Sequence, residues 1–178
     1  MAEFKIALQK TLVHEGGYVN DPTDAGGETY KGISRNSHKS WLGWTLIDKY
    51  KNKSGFPTIL DKDITLQKAV ELFYQTNFWS PLNVDQISNQ TIADSIFDFG
   101  VNTGLTTSVK LIQSIVGTRP DGIIGEQTLN KLNTLDFSYV LSAFTITKLE
   151  YYIHIIKQRP TNKKYLYGWV TRALEYND

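Results

Sequence analysis

The sequence contains no cysteine, which excludes disulfides, zinc thiolates and a thiol nucleophile. It also lacks a dominant charge: 19 basic against 18 acidic residues leave +1. No global field therefore draws it to nucleic acid, and no basic stripe interleaves with aromatics. No apolar run approaches the roughly 20 residues that span a bilayer, so stable membrane insertion is not expected. The opening Met1-Ala2-Glu3-Phe4-Lys5 has no basic stretch followed by an apolar one, so no Sec-type signal is visible. Histidines are few: His14, His38 and His154. His14-Glu15 begins like a zinc-protease motif, but Tyr18 stands where the second histidine belongs and Gly16-Gly17 breaks the required helix. Ser34, Ser37 and Ser40 have no nucleophile-elbow context. Phosphate loops and dinucleotide fingerprints are missing too, so neither a metal nor a cofactor is expected.

What is present fits an ordinary soluble domain. The 178 residues suit one domain with a core that needs no staples. Apolar residues recur at helical spacing over most of the chain. A first helix is expected over 3–14, through Phe4, Ala7, Leu8, Thr11 and Leu12, ended by Gly16-Gly17. The segment 16–32 reads as a structured loop or short hairpin. Ser34 is a candidate cap for a helix toward Trp41, and 44–57 looks irregular. Further helices are expected over 65–79 from a Thr65 cap, 90–101, 107–116, a short one after Gly125, 138–158 closed by Pro160, and 163–176. The apolar run Tyr151–Ile156 reads as a buried central helix, with Trp169 packing the last helix against it. Trp41 and Trp44 suit a core or a sugar-stacking surface. The fold class is mostly α, with a small β-hairpin or loop after the first helix.

The informative stretch is His14-Glu15-Gly16-Gly17-Tyr18-Val19-Asn20-Asp21-Pro22-Thr23-Asp24-Ala25-Gly26-Gly27-Glu28-Thr29-Tyr30-Lys31-Gly32-Ile33. Glycosidic cleavage commonly needs two carboxyl groups: one protonated to assist the leaving oxygen, one ionised to activate water or steady the cationic centre. Glu15 is the candidate acid. At the end of a helix its backbone is rigid, and the negative end of the helix dipole together with partial burial favours keeping a proton there. Asp24, in a glycine-flanked loop that keeps it solvated, is the candidate partner, with Asp21 as its rival. Thr29 is suited to hold a water by its hydroxyl.

The string Glu15-Gly-Gly-Tyr18, then Pro22-x-Asp24-x-Gly26-Gly27-x-Thr29 and Gly32-Ile33, resembles the signature of glycoside hydrolase family 108, the N-acetylmuramidases often described as secretion activator proteins. Phe97-Asp98-Phe99-Gly100-Val101-Asn102-Thr103-Gly104 resembles that family's second block. Asp121-Gly122-Ile123-Ile124-Gly125-Glu126-Gln127-Thr128 is similar to a motif of peptidoglycan-binding modules. The order Glu, Asp, Thr is also similar to T4-type phage lysozymes, in which the gap before Thr is one residue longer. Where this family often has Asn, the chain has Tyr30.

The resemblance implies a single lysozyme-like domain over 1–178, with a catalytic part at 1–95 and a helical part at 96–178 carrying the binding-like motif. It implies hydrolysis of the β-1,4 bond between N-acetylmuramic acid and N-acetylglucosamine. Glu15 would be the acid, and Asp24 with Thr29 would position the water, so that inversion follows. Tyr18 and Tyr30 are expected to contact substrate. Asp98 and Asn102, four apart on one helix face, are expected either to line the cleft or to hydrogen-bond the loop. The partner is the glycan strand of peptidoglycan, the protein is expected to be a monomer, and export would use a holin or secretion machinery from the cytoplasm to the periplasm or wall. A lytic transglycosylase and a non-catalytic wall-binding or secretion-accessory protein are the rival readings.

Overall fold

A computed structural model of the chain describes residues 1–21 and 26–176. The chain divides into two compact units. One contains residues 8–76, the other residues 1–7 and 77–178.

The first unit is short-element architecture around a three-stranded sheet. Helix α1 (Phe4–Leu12) enters it, followed by β1 (Tyr18–Asn20), β2 (Glu28–Tyr30) and β3 (Ile33–Ser34). The strands form an antiparallel meander, with Tyr18 opposite Tyr30, Asn20 opposite Glu28 and Tyr30 opposite Ile33. Helices α2 (Leu42–Tyr50) and α3 (Ile64–Tyr74) supply the apolar backing. Ile33, Ile47, Leu60, Leu66 and Val70 are fully buried there. Asp63 caps α3 by accepting from the Leu66 N–H at 2.9 Å, two residues before the expected Thr65.

Three local expectations fail, wholly or in part, in this unit. Ser34 caps no helix: it closes β3, and its hydroxyl donates to the Gly26 carbonyl at 2.8 Å. The segment 44–57 is irregular only in its second half: α2 takes 44–50, and 51–57 runs through turns. The start of α2 carries no side-chain cap, which hid it from a cap-based reading. The helix from 64 does not run unbroken to 79: α3 ends at Tyr74, and Gln75–Trp79 continues in a wider π turn.

The second unit is a bundle. After α4 (Ser80–Leu82) come α5 (Gln90–Thr103), α6 (Leu105–Val116), α7 (Glu126–Thr134), α8 (Phe137–Gln158) and α9 (Leu166–Leu174). Every residue from Ile92 to Gly100 is buried, so α5 is surrounded on all sides. The central helix is thus α5. The Tyr151–Ile156 run of α8 is only half covered, because Ile153 and His154 face solvent. The chain start belongs to this bundle: Phe4 packs against Trp79 and Phe97 at ring separations of 5.6 and 6.1 Å, and the Glu3 N–H donates to Gln90. Trp169 does anchor α9, stacking on Tyr152 at 5.0 Å. The described residues adopt the expected mostly α class, with a small sheet after the first helix.

Candidate active site

Glu15 does not sit on the last turn of a helix. Helix α1 stops at Leu12, and the chain tightens through three successive short turns, in which the N–H groups of Val13, His14 and Glu15 donate to the carbonyls of Lys10, Thr11 and Leu12. Gly16 then takes a left-handed φ of +66°. The side chain of Glu15 is half-buried.

Its carboxyl group lies against the turn between β2 and β3. That turn has two residues, Lys31 (φ 45°) and Gly32 (φ 76°), both in the left-handed region, as a tight hairpin matched to strand twist requires. A Cβ on Gly32 would fall 2.5 Å from Glu15 Oε2 and 2.7 Å from the Tyr74 hydroxyl. The glycine therefore serves two ends: it permits the φ, and it leaves the space that the carboxyl group occupies. Tyr74, itself buried, donates from its hydroxyl to the Lys31 carbonyl at 2.7 Å and holds the turn in place. The Lys31 ammonium donates to Gln67 Oε1 at 2.7 Å and lies 3.4 Å from Asp61. Gly32, Tyr74 and Lys31 were not singled out as site residues. Gly32 was visible in the family-like string, whereas Tyr74, 59 residues downstream of Glu15, carries no local signal.

A second cluster braces the strands. Glu28, nearly buried, accepts the Tyr18 hydroxyl at 2.8 Å and faces Arg35 at 2.6 Å and Lys51 at 2.9 Å. Asp48 takes Arg35 in a two-pronged contact at 2.7 and 3.1 Å and Lys51 at 2.8 Å. The Arg35 guanidinium in turn covers the Trp44 ring at 4.6 Å. Hydrogen bonds from Arg35 and Lys51 hold the Asp48 carboxyl below its usual range. Burial, reinforced by the Glu28 carboxylate, pushes the Tyr18 phenol up to about 12. Two carboxylates among two cations make a closed ionic lattice, which ties β1, β2 and α2 together.

The expected site residues fall out as follows. Glu15 has the seat just described. Asp24 lies outside the described residues. Thr29 is the middle residue of β2, paired with Val19 and Ser34 on the face opposite Glu28 and Tyr30, and is partly open. Tyr18 is half-buried, bonded to Glu28 and edge-on to Phe56 at 4.7 Å. Tyr30 is corrected from a substrate contact to a core residue. It is 1% exposed, its hydroxyl donates to Asp61 at 3.1 Å and accepts from Gln67 at 2.9 Å, and burial raises its pKa. Trp44 is buried, and the Trp41 indole donates to the Ala69 carbonyl at 3.3 Å, so these rings serve the core.

Asp98 and Asn102 belong to the bundle and are also corrected. Asp98 is 3% exposed and grips Arg172 of α9 through two contacts of 2.9 Å. Asn102 donates to the Tyr152 hydroxyl of α8 at 2.8 Å. The buried Lys148 completes this cluster, donating to Ser95 at 2.9 Å and to the Ala173 carbonyl at 3.4 Å. Burial lowers its pKa to about 8. These polar groups clamp α5, α8 and α9 together. A shared helix face was read correctly, but that face points at other helices.

Comparison with known proteins gives two adjoining matches. A family model described as glycosyl hydrolase 108 matches residues 8–104. A second, described as a predicted peptidoglycan domain, matches residues 107–174. No curated protein matches. Among solved structures, SagA from Brucella abortus is similar with a TM-score of 0.69 and 24% identity, covering 98% of this chain and 91% of that one. At that identity the likeness speaks for the fold.

Proposed function

Because this chain belongs to the glycosyl hydrolase 108 family, we propose that it is an N-acetylmuramidase that hydrolyses the β-1,4 bond between N-acetylmuramic acid and N-acetylglucosamine in peptidoglycan. The observation that carries this reading is the seat of Glu15: a half-buried carboxyl group held against Gly32, where a side chain would displace it, in a segment matched by a hydrolase family.

In this reading the Glu15 carboxylic acid gives its proton to the bridging oxygen as the bond from that oxygen to the anomeric carbon breaks. Asp24 takes a proton from a water on the opposite sugar face, and the Thr29 hydroxyl orients that water. The water oxygen bonds to the anomeric carbon with inversion. The products are a reducing muramic acid end and a free 4-hydroxyl on the next sugar. The Lys31-Gly32 turn and Tyr74 hold the acid in place, which preorganises it before substrate arrives. The peptidoglycan-type segment at 107–174 supports the wall as the place of action. Among the described residues, no helix is long and apolar enough to cross a membrane.

Digestion of purified peptidoglycan, followed by mass spectrometry, tests the reaction. Fragments ending in reducing muramic acid, one water heavier than anhydro ends, are expected. Anhydro ends would instead mean transglycosylation, and wall binding without any fragments would mean a non-catalytic wall protein. Proton NMR of the first-formed anomer is expected to show inversion.

A further inference from the structure

Resting on that wall-directed reading, we propose that the hollow beside α7 is a binding site for the carboxylate-bearing stem peptide of peptidoglycan, separate from the chemistry at Glu15. The hollow encloses about 360 Å³ and opens between the turn after α6 and the outer face of α7. Thr118 and Arg119 form one wall, and Gln127, Asn130, Lys131 and Thr134 form the other. The four α7 residues follow helical spacing, so they present one continuous polar strip while Thr128 and Leu132 face the core.

Three features select the ligand. Two cations, Arg119 and Lys131, line the hollow and no acid does, so its field favours an anion. Asp121, in the adjoining hollow, feels the Arg119 charge, whereas Lys131 has no carboxylate partner among the described residues. No aromatic ring lines it either, so it offers nothing for a neutral sugar to stack on. Amides and hydroxyls make up the rest, which matches peptide groups with their alternating donors and acceptors. An adjoining hollow of about 220 Å³ shares Thr118, Arg119 and Gln127 and adds Glu126 and Asp121. Asp121 is already bound by Gln113 Nε2 and by the Ile123 N–H, both at 2.9 Å, which leaves Glu126 as the acid for an amine. Carboxylates at Arg119 and Lys131 with an ammonium group at Glu126 is the charge pattern of a stem peptide containing a diamino acid.

The wall is built in advance. Gln113, buried on α6, accepts the Gly122 N–H and donates to Asp121, Ile123 and Thr128. The hydroxyls of Thr118 and Thr128 lie 3.3 Å apart and tie the turn to α7. The Asp121-Gly122 turn and the residues after it thus act as a rigid frame for Arg119, and a preorganised frame lowers the ordering cost of binding.

The test is a calorimetric titration of the full chain carrying Glu15→Gln, first with a synthetic stem pentapeptide containing a diamino acid and then with chitotetraose, which has no peptide. The pentapeptide is expected to bind, and Arg119→Ala and Lys131→Ala are each expected to weaken it about tenfold. The Lys131→Arg variant retains binding, and amidation of the peptide carboxylates abolishes it. Chitotetraose affinity is unchanged by all of these variants. Pentapeptide that fails to bind, or binds equally well to the Arg119→Ala, Lys131→Ala double variant, overturns the proposal. Because the titration involves no turnover, it stands whether or not the wild type cleaves glycan. Conversely, cleavage of peptidoglycan by a protein that ignores the pentapeptide would sink this inference and leave the hydrolase reading intact.

Discussion

The two units use ion pairs in opposite ways. In the sheet-containing unit, ionic groups sit at the edge of short elements: Glu28, Arg35, Asp48 and Lys51 pin strands that are two or three residues long. In the bundle, Asp98, Arg172 and Lys148 lie deep between long helices and complete an otherwise apolar core. Short strands hold few ladder hydrogen bonds, so side-chain lattices must fix their geometry. Long helices satisfy their own backbones, so a buried ion pair there sets which helix meets which. Substitutions in the first unit should therefore change catalysis, and those in the second should change stability.

The largest expected effect lies in the bundle. Arg172→Ala leaves the Asp98 carboxylate buried without its bidentate partner, and about 3–5 kcal/mol of unfolding free energy should be lost. Denaturant unfolding measures this, while peptidoglycan cleavage well below the midpoint stays near wild type. Loss of cleavage at full folding would erase the contrast between the units.

In the sheet-containing unit, Gly32→Ala should do the reverse. The new methyl group must push the Glu15 carboxyl group aside, and displacing a catalytic group by about 1 Å can cost roughly 100-fold in rate. Left-handed backbone adds about 1–2 kcal/mol of destabilisation, so most of the protein stays folded. A variant with unchanged kcat/KM would mean that the seat of Glu15 does not matter to turnover.

Lys148 provides a pH-dependent test. Its folded pKa of about 8 lies below the 10.5 of a solvated lysine. The unfolded chain therefore binds more protons between pH 8 and 10.5, and this group makes the protein more stable as pH rises through that window. Below pH 8 the buried charge costs about 3 kcal/mol relative to solvent. The unfolding free energies of wild type and Lys148→Met should therefore differ in a pH-dependent way, the wild type gaining on the variant from pH 7 to pH 10. A constant difference would contradict the buried ammonium. The smallest effect is expected for Tyr74→Phe, which removes the bond to the Lys31 carbonyl. About 1 kcal/mol of stability and a modest part of kcat should go, with KM little changed.

Much of the bundle was legible in the residues. Its helices are long and amphipathic, so the apolar period, with Gly125 and Pro160 as boundaries, located α5 through α8 within a few residues. The order of burial was not legible: Tyr151–Ile156 is more apolar in sequence than the Asp94-Ser95 turn of α5, yet α5 is central because its small and polar residues pair with other helices. In the first unit the acid loop stood out through its family-like string, and the seat of Glu15 did not. That seat depends on Tyr74 and on a left-handed Lys31, and no local pattern connects either with residue 15. Tyr30 was misread for the same reason. In a strand of three residues, alternation is too short to say which face is inside, and Asp61 and Gln67, which bind its hydroxyl, lie more than thirty residues away.

The most direct measurement compares wild type and Glu15→Gln on purified peptidoglycan, scoring new reducing muramic ends while calorimetric unfolding confirms that both are folded. The wild type should release such ends and the glutamine variant essentially none, at equal thermal stability and equal binding to the wall. A folded Glu15→Gln protein that releases them at the wild-type rate would contradict the assignment of the proton donor and the mechanism built on it.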